Sequence, residues 1–192
     1  MSDDLDPLRE LRPDRAEYAE PNDPWALARE KERLMSIIEP ETTPAKGQHM
    51  PSIYPRLAYN DERAALDYLT RVFGFEEIRE ARLEHGGHML AWLRVGSGVV
   101  MIGHANTDVH LIHSPASLHN TTVQMMVYVH DIDEHYAHAV ASGALVTMDL
   151  RDAFYGDRVY EATDPEGHRW HFGERFADIE ARGGTVEPEA GP

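Results

Sequence analysis

At 192 residues, with a hydrophobic fraction of 42%, the chain is long enough for one domain with extensions and apolar enough to build a core. Its 34 acidic residues against 18 basic ones, a formal net charge of -16, argue against nucleic-acid or anionic-membrane partners, because both recruit basic patches. The absence of cysteine excludes disulfides, thiolate metal sites and a cysteine nucleophile, and without a basic-then-apolar leader or an apolar run near the roughly 18 residues of a membrane span, a cytoplasmic protein is expected.

Residues 1–50 read as an acidic extension and linker. The stretch DPLRELRPDRAEYAEPNDP is charged and broken by Pro7, Pro13, Pro21 and Pro24. Asn22 or Asp23 is placed to cap one helix over WALAREKERLMSII, with Trp25, Leu27, Leu34, Ile37 and Ile38 as an imperfect apolar stripe. EPETTPAKGQHMP then has linker composition. From Ser52 the pattern becomes regular. IYPRLAYN reads as a strand, and DERAALDYLTRVFG as a helix with Asp61 as N-cap and Gly74 as C-cap. FEEIREARLE, HMLAWLRVG and GVVMIGHA read as three strands, with turns at HGG and GSG.

The polar stretch NTDVHLIHSPASLHN connects to a second round. TVQMMVYVH reads as a strand, DIDEHYAHAVASG as a helix between Asp131 and Gly143, and LVTMDLRD, DRVYEAT and HRWHFG as three more strands. Residues 176–192 read as a C-terminal tail. The chain thus carries a β-α-β-β-β unit twice, and the helix caps Asp61 and Asp131 stand 70 positions apart. The same shift lays VVMIG over RWHFG, with Gly103 on Gly173 and Tyr54 on Gln124. A unit too small to fold alone, repeated once, implies an α+β domain of two packed halves. Four strands per half with the helices on one side place a ligand cleft against the sheets.

The paired units, the helix sequences DERAALDYL and DIDEHYAHAVASGA, and the closing YGDRVYEATDPEGHRWHF together resemble the glyoxalase/bleomycin-resistance/extradiol-dioxygenase superfamily, the vicinal oxygen chelate fold. The resemblance spans about residues 52–174. It implies two modules, about 52–104 and 121–174, forming a cup within a domain of residues 51–175, assembled as a homodimer. It also implies metal-ligand positions, which the repeat register places at Tyr54, Met101, Gln124 and His171. A catalytic divalent metal wants at least three good nitrogen or oxygen donors. A protonated phenol and a thioether are poor ones, so no cofactor is favoured; if a divalent metal binds, Gln124 and His171 are its ligands.

His171 is therefore expected to line a pocket, and it is the best candidate for catalysis. Candidate ligand-binding residues with it are Tyr54, Arg56, Trp92, Met101, Gln124, Arg158, Tyr160 and Trp170. His168 alternates away from His171 and reads as structural, and DPEG reads as a turn in which Asp164 bonds its own backbone. Three functions stay open: a small-molecule binding or resistance protein for a hydrophobic or aromatic ligand, which is favoured; a metal-dependent or histidine-based lyase, isomerase or dioxygenase; and a regulatory module acting through the acidic arm.

Overall fold

The computed structural model describes residues 51, 53–106 and 111–187, so the helix expected within residues 1–50 lies outside it. The first module runs β1 (Arg56–Tyr59), α1 (Glu62–Val72), β2 (Glu76–Glu77), β3 (Leu83–His85), β4 (His88–Val95) and β5 (Gly98–His104). After a connection holding the short α2 (Pro115–Leu118), the second runs β6 (Gln124–Tyr128), α3 (Ile132–Ala141), β7 (Leu145–Asp152), β8 (Asp157–Thr163) and β9 (Arg169–Arg175). The sheets order β1-β5-β4-β2, with β3 on β4, and β6-β9-β8-β7.

Both helices start where an aspartate satisfies an orphan amide. Asp61 accepts from the Ala64 N–H at 2.9 Å and Asp131 from the Glu134 N–H at 3.1 Å. Both stop before a glycine at positive φ, Gly74 at 68° and Gly143 at 90°. The repeat holds in the ladders as well. Arg56 lies beside Met101 in the parallel β1–β5 pair, and Met126 lies beside His171 in the β6–β9 pair. Each partner is shifted by the expected 70. The antiparallel hairpins depart by one, because Trp92 faces Met101 whereas Glu161 faces His171. The longer turn before β9 accounts for that extra step.

FEEIREARLE is not one strand. It breaks into β2, a 3₁₀ turn over Arg79–Ala81 and β3, clamped by the Arg82–Glu77 ion pair at 2.7 Å. The break folds Ile78, Ala81 and Leu83 over Trp92 and Val99, covering part of the first sheet's helix-free face. The expected C-terminal tail begins with α4 (Phe176–Ala181), whose Ile179 is buried, and Arg182 beyond it reaches back to Glu174 at 2.9 Å.

One core joins the modules through their helix-bearing faces. Leu57, Leu69, Phe73 and Ile102 of the first pack with Val127, Ile132, Trp170 and Phe172 of the second. Phe73 stands 5.0 Å from Phe172 and 5.9 Å from Trp170 between ring centroids. The turn at residues 164–168 ties the halves together. Asp164 Oδ1 accepts from the Glu166 and His168 amides, as the sequence suggests, but Oδ2 also accepts from the Tyr59 hydroxyl at 2.6 Å and the Trp170 indole at 3.2 Å. Glu166 accepts from the Asn60 and Asp61 amides and from the Ser114 hydroxyl.

Candidate functional site

Because side chains alternate along a strand, the residues not committed to the shared core share the opposite face. On the second sheet that face carries Gln124, Met126 and Tyr128 from β6, Glu161 from β8 and His171 from β9. His171, only 7% exposed, donates through Nδ1 to Glu161 Oε1 at 3.1 Å. Its Nε2 accepts from the Tyr155 hydroxyl at 3.4 Å. Glu161 also accepts from the Gln124 amide at 2.9 Å and from Arg169 at 2.7 Å. Burial pushes the Glu161 carboxyl up, but these three donors more than offset it and hold it below the usual carboxylate range. The result is an imidazole fixed in one tautomer by an ionised carboxylate, with its other nitrogen toward a tyrosine.

Around this polar group the face carries exposed apolar side chains, with Arg175 over the Tyr128 ring. Met126 is 54% exposed and Tyr128 47%, while Phe154 and Tyr155 stand exposed in an edge-on pair beside them. A cavity of about 390 Å³ adjoins the face, opening between the first strands of the two modules and lined by Pro55, Val100, Met126, Tyr128 and Trp170 among others. It does not include His171 or Glu161; Met126, the ladder neighbour of His171, borders both.

Tyr54, Arg56, Trp92 and Met101 gather on the helix-free face of the first sheet. Trp92, Tyr54 and Met101 form a small cluster there, and Arg56 donates to the His104 carbonyl at 3.1 Å. Burial pulls the Arg56 pKa down. The Trp92 indole N–H is buried and has no hydrogen-bond partner among the described residues. A buried donor left so costs about 1–3 kcal/mol.

Three candidates lie off these faces, Trp170 among them although it lines the cavity. Tyr160 and Trp170 lie on the core side of their strands and are fully buried; the Tyr160 hydroxyl donates to His135 at 2.8 Å and Trp170 to Asp164. Alternation from His171 already puts Trp170 on the other face. Arg158 also faces away, held by Asp152 at 2.6 Å and by Asp133 at 3.0 Å, and those carboxylates raise its pKa further. It is a structural cation. His168 is structural as expected, donating to the Ala58 carbonyl at 2.9 Å.

Glu161, Tyr155, Met126 and Tyr128 were absent from the sequence-derived set. Glu161 had a usable signal, since counting outward from the DPEG turn pairs it with His171.

Residues 52–172 match the Glyoxalase/Bleomycin resistance protein/Dioxygenase superfamily. The chain belongs to this superfamily. Among solved structures, TioX from Micromonospora sp. ML1 is similar at 34% identity, with a TM-score of 0.53 over 65% of this chain and 95% of that one. The uncharacterized protein Rv0887c of Mycobacterium tuberculosis is 30% identical over 134 residues, 67% of this chain and 77% of that protein. The protein Mb0911c of Mycobacterium bovis matches equally, over 86% of its length.

Of the four positions expected from the repeat register, Tyr54 and Met101 lie on the helix-free face of the first sheet and Gln124 and His171 on that of the second. A phenol, a thioether, an amide and one imidazole do not fit a divalent metal. Glu161, the carboxylate nearest His171, is already engaged by three donors. As folded, His171 is oriented by Glu161 through Nδ1. The grouping whose donors do lie within 4.8 Å of one another, Glu62 with His88 and His104, includes none of the four positions.

Proposed function

We propose that this superfamily member binds a small, hydrophobic or aromatic molecule over the helix-free face of its second sheet. The observation that carries the reading is a polar group, His171–Glu161–Gln124 with Tyr155, beside the exposed apolar side chains Met126 and Tyr128. A few convergent polar groups in an apolar surround is the usual composition of a small-molecule site. Within one chain the Trp92–Met101 face and the His171 face belong to different sheets. Two copies, each laying the first sheet of one over the second sheet of the other, would enclose both faces. The exposed Met126 and Tyr128 support that homodimer.

A thermal-shift screen with aromatic and heteroaromatic compounds tests the site, because a ligand of the folded state raises its melting temperature. The expected result is stabilisation that disappears in His171→Ala and Met126→Lys. Stabilisation that persists in both variants overturns the reading, as does a panel with no stabilising compound.

The His171–Glu161 pair supports a second reading on the same face, histidine-based proton transfer without a metal. A carboxylate orienting Nδ1–H leaves Nε2 to take a proton from a bound carbon or oxygen acid. Activity insensitive to chelators, lost in both His171→Ala and Glu161→Gln, would distinguish it from pure binding.

A further inference from the structure

We propose that Glu62, His88 and His104 form a binding site for a divalent transition-metal ion at the rim of the first module, separate from the ligand face. The three side chains come from the start of α1, the start of β4 and the end of β5. Each is brought in by a different chain segment, and their donor atoms lie within 4.8 Å of one another. Glu62 is only 5% exposed. The Met89 N–H donates to its Oε1 at 3.0 Å, and His104 Nδ1 lies 3.1 Å from Oε2. His88 Nδ1 stands 3.6 Å from Oε1, and the two imidazoles stack with centroids 3.8 Å apart.

The chemistry of this set is that of a metal site. Burial raises the Glu62 carboxyl, but bonds from its own amide, Met89 and His104 bring it below the usual range, so it stands as an anion. One carboxylate and two imidazoles are the mixed donor set that zinc, nickel, cobalt or ferrous iron accept. The Met89 amide fixes the carboxylate from behind, as an outer-shell donor fixes a ligand. Solvent reaches the site from the histidine side, where the His88 and His104 side chains are 55% and 35% exposed. Donors around one ion at 2.0–2.2 Å are separated by roughly 3 Å, so the exposed imidazoles must turn inward by an ångström or more. Both imidazoles are exposed enough to change rotamer.

The second module supplies an internal control. The repeat shift sends Glu62 to Ile132 and His104 to Glu174. There the buried carboxylate sits on the strand, accepts the Ile132 amide at 3.0 Å, and is closed by Arg182 at 2.9 Å. One rim therefore neutralises its buried carboxylate with a permanent internal cation. The other surrounds an equally buried carboxylate with two accessible imidazoles, leaving the place of the cation to an ion from solution. Bound there, the ion pins the first turn of α1 to the β4–β5 hairpin.

The test uses the full chain, stripped with chelator and titrated with Zn²⁺ or Ni²⁺ by calorimetry, with Co²⁺ absorption as a report on coordination. One equivalent is expected to bind, raising the melting temperature. Its affinity should fall at least tenfold in His88→Ala and in His104→Gln, and stay unchanged in His171→Ala. His88 is half-exposed, so His88→Ala keeps the fold, and circular dichroism checks that. Absence of a stoichiometric Zn²⁺ or Ni²⁺ equivalent overturns the proposal, as does an equivalent that folded His88→Ala retains at full affinity.

Discussion

His168→Ala is expected to destabilise the protein by about 1–3 kcal/mol, since it orphans the buried Ala58 carbonyl and removes a ring packed 4.5 Å from Tyr59. His171→Ala, three positions on, removes one of the three donors to Glu161 and is expected to cost less than His168→Ala, because Gln124 and Arg169 still hold that carboxylate, while abolishing stabilisation by any aromatic ligand found. Equal loss of stability in both variants would show that His171 is structural too. This division of labour between two histidines on β9 was readable from alternation alone, and so was the burial of Trp170. The carboxylate that orients His171 lies across a hairpin, and only a count of ladder pairs recovers it. The identity of Arg158 as an ion-pair partner was not recoverable that way, because Asp133, one of its acceptors, comes from α3, far along the chain.

The two helix starts are equivalent in role yet differ in backbone, which gives an element-scale test. Asp61→Ala removes one capping acceptor and is expected to cost about 1 kcal/mol, a fall of roughly 3–5 °C in melting temperature. Asp131 caps at φ 56°, a conformation that alanine adopts poorly and asparagine tolerates. Asp131→Ala should therefore cost more than Asp61→Ala, and Asp131→Asn less than Asp131→Ala. Equal melting temperatures for the two Asp131 variants would count against the backbone argument. Helix boundaries were legible because caps and glycines are local signals. FEEIREARLE was misread as one strand because its break depends on a non-local anchor, the Ile78 amide donating to the Trp92 carbonyl at 2.8 Å.

For the molecule as a whole, acid should act through buried carboxylates. Glu62, Glu161 and Glu174 all titrate below the ordinary value of 4.5, burial being outweighed by their donors. Each therefore contributes stability that is fully present above about 4.5 and is lost as the pH falls through its lower folded value. Glu174→Gln should be less stable than the parent at neutral pH, with the gap closing in acid; a gap constant from about pH 7 to about pH 3 would refute this. Met126→Lys is expected to shift the protein to a monomer in sedimentation, given the proposed dimer. The twofold repeat, and hence the fold, was plain from sequence because equivalent caps recur at a fixed spacing. Which faces meet was not, because packing between halves is decided by contacts such as Phe73 on Phe172 that no local pattern encodes.

The tie at residues 164–168 bears on how the chain is made. Tyr59, the Ala58 carbonyl and the amides at the start of α1 find their partners only in Asp164, Glu166 and His168, more than a hundred positions later. On the ribosome, the first half must therefore wait with these groups open until nearly the entire domain has emerged, and it gains its final closure from the last hairpin to leave. A chain released before β9 would lose the strand that carries His171 and also the fastening of the half made first.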